Sequence, residues 1–234
     1  MSFALAGGTA VVTGASRGIG RAIALALAHV GAEVALWARD HRALRQVVNE
    51  IEAAGGRAMA FEVDVSDARR VDEAADLVRR SMAPVRVIVN NAGNVVRKPT
   101  IATTDADWRS VIGVNLDGTF HVTRAFLGDL TGNGGGRVIN IASIAGREGT
   151  PLLAAYCAAK HGVVGLTRSL AEELRAAKVC VNAVCPGSVD TAMLREGMPG
   201  ARPDMTPEDI ARTVVFLATD APDALTGSCI DVFG

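Results

Sequence analysis

The stretch Thr9-Ala10-Val11-Val12-Thr13-Gly14-Ala15-Ser16-Arg17-Gly18-Ile19-Gly20 decides the fold. Its first four residues form an apolar run that reads as a buried strand. Ile19 to Val30 is rich in Ala, Leu and Ile and reads as a helix. Strand, glycine turn and helix in that order are the context of a dinucleotide-binding turn. Glycines let the backbone bend tightly and approach a pyrophosphate, and the helix N-terminus offers that anion free N–H groups and a positive dipole end. The spacing TGxxxGxG departs from the plain GxGxxG fingerprint.

Outward from this stretch, strands and helices alternate to the end of the chain. Strands are expected at Thr9–Val12, Glu33–Trp37, Ala58–Glu62, Val85–Val89, Arg137–Ile141, Val179–Val184 and Cys229–Val232. Helices are expected at Ile19–Val30, Asp40–Ala54, Asp67–Ser81, Asp107–Leu130, Leu152–Ala177 and Pro207–Ala218. Continuous apolar strands such as VRVIVN and RVINIA suit a parallel sheet covered on both faces. The fold class is therefore α/β: one Rossmann-like, doubly wound parallel sheet of about seven strands with helices on both faces. The whole chain, 1–234, is expected to be a single domain. Ligands of such sheets sit beyond the carboxyl ends of the strands. The glycine turn, Asn90 to Gly93, Ser143 and Pro186-Gly187 all follow strands and so share that edge.

With 49% apolar and 21% charged residues the composition is globular. Basic residues number 24 against 25 acidic, a formal net charge of −1, which gives no electrostatic case for nucleic acid or an anionic membrane. No apolar stretch reaches the length of a bilayer-spanning helix, and the opening MSFALAGG has no basic leader region. Cys157, Cys180, Cys185 and Cys229 have no CxxC spacing and are expected to be buried free thiols of a cytoplasmic protein. His29, His41, His121 and His161 form no ligand cluster, so no metal is expected.

Tyr156 and Lys160 are four residues apart in a helical segment and lie on one face. An ammonium beside a phenol is expected to lower a pKa that starts at about 10 and to make the tyrosine a proton donor and acceptor. It is the only tyrosine in the chain.

With Thr13 to Gly20, Asp64-Val65, Asn90-Asn91-Ala92-Gly93, Asn115, Ser143, Tyr156-x-x-x-Lys160 and Pro186-Gly187 with Thr191 in this order, the chain resembles the single-domain short-chain dehydrogenase/reductases, from about residue 7 to its end. Within that family it looks most like the 3-oxoacyl-thioester reductases, through TGASRGIGRAIA and Tyr156 to Gly187. The resemblance implies hydride transfer between a nicotinamide and a carbonyl carbon. Tyr156 would give its proton to the developing alkoxide, Lys160 would tune the tyrosine and bond the ribose, and Ser143 would hold the carbonyl. Asn115 would hold a water in the proton path; read alone, it is a helix kink or packing residue. Cofactor contacts are implied for Gly14, Ser16, Arg17, Gly18, Ile19, Gly20, Arg39, Asp64, Val65, Asn91, Ala92, Gly93, Tyr156, Lys160, Pro186, Gly187, Val189 and Thr191. Asn90 would tie the central strands together.

The cofactor expected is NADP(H) rather than NAD(H). The acidic residue that would select NAD is replaced by Ala38, while Arg17 and Arg39 can meet a 2′-phosphate. Asp40 argues the other way, unless it caps the next helix. The loop 188–206 is expected to cover the substrate with Met193, Leu194 and Met198, while Val95, Val96, Ala145, Leu152 and Leu153 line other walls. No charge cluster marks a carboxylate or sugar-phosphate. Glu172 and Glu173 face out where carrier-protein reductases show basic docking residues, so an acidic carrier protein fits poorly. The expectation is thus an NADPH-dependent carbonyl reductase acting on a small-molecule ketone. The alternatives are a sugar, polyol or secondary-alcohol dehydrogenase and a non-catalytic nucleotide-binding regulator. A homotetramer is expected through helices 107–130 and 152–177, with a strip including Val164, Thr167 and Leu174 on the second.

Overall fold

A computed structural model describes residues 5–234; the first residues of the opening segment, where no leader is expected, lie outside the described residues. Seven strands form one parallel sheet in the order β3-β2-β1-β4-β5-β6-β7. They are β1 Thr9–Thr13, β2 Glu33–Ala38, β3 Arg57–Glu62, β4 Val85–Asn90, β5 Gly136–Ile141, β6 Val179–Pro186 and β7 Cys229–Val232. The helices are α1 Gly18–His29, α2 His41–Ala53, α3 Ala68–Ser81, α4 Asp105–Ile112, α5 Gly118–Gly132, α6 Ala154–Glu173, α7 Ala192–Gly197 and α8 Pro207–Thr219. Strand order reverses between β1 and β4, which opens a crevice beyond their carboxyl ends.

The alternation of side chains explains why these strands read as unbroken apolar runs. In β1, Ala10 and Val12 pack with Ile23, Leu27, Leu44, Val48, Ile210 and Leu217 of α1, α2 and α8. Val11 turns to the other face, where Val71, Val78, Phe126 and Leu130 of α3 and α5 lie. Both faces being dry, neither could carry polar residues without partners. The polar exceptions are bonded across the sheet. Asn90 Nδ2 donates to Asn140 Oδ1 and Thr123 Oγ1, both at 2.9 Å, and Asn140 Nδ2 donates to Thr167 Oγ1 at 2.9 Å. Asn90 thus ties β4 to β5 and α5.

Side-chain caps start α2, α3, α4, α7 and α8. Asp40 caps α2 by accepting from Ala43 N at 2.9 Å, and Asp67 caps α3 by accepting from Arg69 N and Arg70 N. Each cap contributes about 1 kcal/mol.

Three expectations need correction. Asp107–Leu130 is not one regular helix: Thr104 and Asp107 form a reciprocal cap that starts α4 at Asp105, and a π-helical turn at Gly113–Asp117 separates α4 from α5. Leu152–Ala177 begins at Ala154, because Leu152 is held at φ 69°, and α6 ends at Glu173 before a tighter turn at Arg175–Ala177. The loop 188–206 contains α7, which periodicity did not reveal in so short a segment. The thiols also differ from expectation: Cys180 and Cys185 are buried, but Cys157 and Cys229 are partly exposed.

Candidate active site

A cleft of about 700 Å³ opens at the carboxyl ends of the strands. It gathers Gly14, Ser16, Arg17, Gly18, Ile19, Gly20, Arg39, Asp64, Val65, Asn91, Ala92, Gly93, Ser143, Tyr156, Lys160, Pro186, Gly187, Val189 and Thr191 from well-separated parts of the chain. Asn115 is not among them.

The glycine turn is held by residues the sequence reading passed over or valued for another reason. Thr13 Oγ1 accepts from both Asn91 N and Ala92 N at 2.9 Å, and Asn91 Nδ2 donates to Thr13 O at 3.0 Å. The β1 and β4 ends are therefore stitched together directly under the turn. Gly14 adopts φ +64°, and a Cβ at Gly20 would stand 2.3 Å from the Gly14 carbonyl oxygen. That crowding keeps side chains out of the turn, and α1 starts with its free N–H groups facing the opening. These are the features a bound pyrophosphate needs, so the residues present fit a dinucleotide.

Arg17 and Arg39 are both exposed on this cleft, and neither is engaged with an acid among the described residues. Asp40, the residue that argued for NAD, also lines the cleft, and its Oδ1 caps α2 by accepting from Ala43 N. Asp64 forms a local turn, accepting from Ser66 N at 3.0 Å and Ser66 Oγ at 2.6 Å.

At the other end, Thr191 caps α7 and rests its methyl group over Gly18. Met193, Leu194 and Met198 line the cleft as expected, and Met193 lies above Gly93. Val95, Ala145 and Leu153 line it too, joined by Ile144, Thr150 and Val114. Val96 and Leu152 do not line it, which corrects the sequence reading. Val96 packs beside Val111, Ala155 and Ala159, and Leu152, in its left-handed conformation, accepts from Lys98 N through its carbonyl. Arg195 is paired with Asp190 at 2.7 Å, both side chains being exposed.

Asn115 stands behind the wall. It is fully buried in the π-helical turn, and its Nδ2 donates at 2.9 Å to Asn94 O, Asn94 Oδ1 and Val111 O. The carboxamide thereby braces the chain beside Gly93. Asn94, a cleft residue that the sequence reading missed, carries no family signal and is found only through this contact.

The Ser143, Tyr156 and Lys160 side chains meet where β5 and α6 approach. Ser143 is hydrogen-bonded to the Tyr156 phenol and also accepts from Ala145 N at 3.1 Å. Lys160 Nζ is buried, lies 5.6 Å from the Tyr156 ring centre and donates to Ile141 O at 2.8 Å. The expected direction of the tyrosine pKa is reversed. Burial pushes it up from 10.0 to about 12, and the Ser143 bond opposes this only in part. Burial pulls Lys160 down from 10.5 to about 8. The sequence reading counted the attraction between ammonium and phenolate but not the desolvation of both. At neutral pH Tyr156 is accordingly a neutral phenol with a proton to give.

Lys160 leaves a signature in stability. Between about pH 8 and 10.5 the unfolded chain keeps a proton that the folded chain has lost, so this residue makes stability rise with pH. The gain is about 3 kcal/mol at roughly 1.4 kcal/mol per pKa unit. Tyr156, whose folded pKa is raised, acts in the opposite sense only above about pH 10. Denaturant unfolding of nucleotide-free protein at about pH 7.5 and about pH 10 should show stability gaining more with pH in wild type than in Lys160→Met, since the raised Cys185 thiol acts in the opposite sense in both. Equal gains in both would contradict the burial of this charge.

A phenol with a proton to give, beside a crevice shaped for a dinucleotide, is the equipment of an oxidoreductase. The chain belongs to the short-chain dehydrogenase/reductase family: a family model described as short chain dehydrogenase matches residues 8–200. It is similar to a 3-oxoacyl-[acyl-carrier-protein] reductase of Synechocystis, 41% identical over 99% of this chain and 97% of that protein. A reductase of the same description from Staphylococcus aureus is 39% identical over 97% of this chain and 96% of its own length. Among solved structures, a candidate NAD(P)-dependent gluconate 5-dehydrogenase of Beutenbergia cavernae, with NADP bound at low occupancy, has a TM-score of 0.90 and 39% identity, covering 97% of this chain and 96% of that one. A candidate gluconate dehydrogenase of Agrobacterium tumefaciens has a TM-score of 0.92 and 33% identity, covering 97% and 95%. No helix among the described residues is long and apolar enough to cross a membrane. No group of three or more His, Cys, Asp or Glu among them could hold a metal ion.

Proposed function

We propose that the chain is an NADPH-dependent ketoreductase that reduces a neutral ketone bearing an apolar group, with 3-oxoacyl thioesters as the favoured class. The observation that carries this reading is the protonated Tyr156 phenol, bonded to Ser143 and backed by Lys160, in a cleft end that Val95, Ile144, Ala145, Leu153, Met193 and Met198 also line. When bound, NADPH supplies the hydride from its nicotinamide. Tyr156 delivers a proton to the carbonyl oxygen, and the Ser143 hydroxyl aligns that oxygen. Lys160, with Tyr156, bonds the ribose. Arg17 and Arg39 take the 2′-phosphate, and the glycine turn takes the pyrophosphate. Asp64 and Val65 flank the adenine, and Asn91, Ala92 and Gly93 let the cofactor pass close to the backbone. Pro186, Gly187, Val189 and Thr191 hold the carboxamide. Asn115 acts from behind by bracing this wall. The whole chain serves as one domain, with 188–206 as its substrate loop.

The apolar side chains Val95, Ile144, Ala145, Leu153, Met193 and Met198 along the cleft, and the pairing of Arg195 with Asp190, favour a ketone with an apolar group over a sugar acid. Glu172 and Glu173 are exposed, and the basic residue nearest them, Arg175, is already paired with Glu172. A short thioester or CoA ester suits this surface better than an acidic carrier protein. The test is steady-state turnover with NADPH of acetoacetyl thioesters, simple ketones and a keto-sugar acid. Neutral 3-oxo substrates should give the highest kcat/KM. Preference for the keto-sugar acid would overturn the substrate class. Tight NADPH binding with no turnover would instead favour a regulatory protein.

We further propose a cytoplasmic homotetramer. The strip first considered for the interface faces the wrong way: Val164, Thr167 and Leu174 are buried within the chain's own core. Outward, α6 presents Ala154, Ala158 and Gly165, small enough for a second helix to approach closely, together with the exposed His161, Arg168, Ser169, Glu172 and Glu173. On α4 and α5, Trp108 and Phe120 are 44% and 43% exposed. Light scattering at micromolar concentration should give four times the chain mass. A monomer would refute the assembly, and a dimer would restrict it to one of these faces.

A further inference from the structure

Arg147 belongs to none of the motifs, yet it is more firmly tied than the residues around it. Its Nε donates to Asp231 Oδ1 at 2.9 Å, and its Nη2 to Asp231 Oδ2 at 3.3 Å and to Cys229 O at 3.0 Å. Both acceptor residues lie on β7, the edge strand at the end of the chain. A forked guanidinium–carboxylate pair with a third bond fixes direction as well as distance.

The residues just before Arg147 form the tight turn Ile144–Gly146. Gly146 N donates to Ser143 O at 2.9 Å and Arg147 N to Ile144 O at 2.8 Å, so the turn closes on Ser143. Ala145 N then donates to Ser143 Oγ at 3.1 Å. With its oxygen engaged on that side, the Ser143 hydroxyl is turned toward Tyr156. The turn also presses on α6, since a Cβ at Gly146 would stand 2.7 Å from Lys160 O. A shift of the turn therefore reaches Ser143, Tyr156 and Lys160 together.

We propose that Arg147 is a positioning residue: pinned to Asp231 and Cys229 of β7, it holds the 144–146 turn whose Ala145 amide orients the Ser143 hydroxyl. The effect on turnover rests on the ketoreductase reading. The tether itself does not.

Arg147→Ala and Asp231→Asn should each lower kcat about tenfold through misorientation of the reacting groups, with Kd for NADPH changed less than about twofold because the glycine turn and Arg39 lie elsewhere. Arg147→Lys, which keeps the charge and loses the fork, should fall between. The double variant Arg147→Asp/Asp231→Arg should recover most of the loss. Hydrogen–deuterium exchange supplies a readout independent of turnover: the Gly146 and Arg147 amides should exchange faster in both single variants and slow again in the swap. Wild-type kcat together with wild-type exchange in Arg147→Ala would overturn the proposal. So would a swap no better than either single variant, or an equal loss of NADPH affinity and kcat. If wild type reduces no ketone, the proposed function fails, and the exchange rates still decide the tether.

Discussion

Tyr156→Phe should lower kcat on the order of 1,000-fold while leaving NADPH affinity within about threefold of wild type. Tyr156 is the only tyrosine in the chain, so no neighbouring phenol can replace it. Ser143 remains in the variant but is a far weaker acid than a phenol, and Lys160 is turned to Ile141 O. The ring itself stays, so packing against α6 and the cleft wall is retained. Steady-state kinetics with NADPH and the best ketone measures the first quantity, and isothermal titration with NADPH the second. Near-wild-type turnover would remove Tyr156 from the chemistry. A parallel collapse of NADPH binding would mean that the ring is needed to shape the cleft.

Arg39→Asp should weaken NADPH on the order of 100-fold and NADH by no more than about threefold. Arg39 lies one residue beyond the end of β2, exposed on the cleft with no acid engaging it among the described residues. Replacing it with aspartate removes a phosphate partner and adds a like charge, whereas a ribose hydroxyl gains an acceptor. Arg17→Ala should show a smaller effect of the same sign because the second guanidinium remains. Equilibrium binding of both nucleotides at one ionic strength checks the pair, since exposed charges are screened by salt. Equal losses for the two nucleotides would show that Arg39 does not read the phosphate.

These results would test different parts of what could be read from residues alone. Much of the fold was legible because its signals are local. The apolar runs of β1, β4 and β5 reach both faces of a parallel sheet, so each strand announces itself within six residues or fewer. Helix starts such as Asp40 and Asp67 were legible for a similar reason, since a cap bonds within three residues of itself. The π-helical turn at Gly113–Asp117 was not legible: its apolar spacing barely differs from that of a regular helix.

By itself, the sequence determined the α/β class, the placement of the glycine turn, Ser143, Tyr156 and Lys160 at one sheet edge, and the family. Those conclusions depend on residue type and short spacing. Only the tertiary structure decided the sign of the Tyr156 shift, because desolvation comes from atoms far away in the chain. It alone turned Val164, Thr167 and Leu174 inward, since an apolar helix stripe looks the same against its own sheet and against a partner. It moved Asn115 behind the cleft wall to Asn94 and joined Arg147 to Asp231, 84 residues away. Contacts at that separation leave no periodic trace. They are created by strand order and packing, and one sequence without its fold does not contain them in readable form.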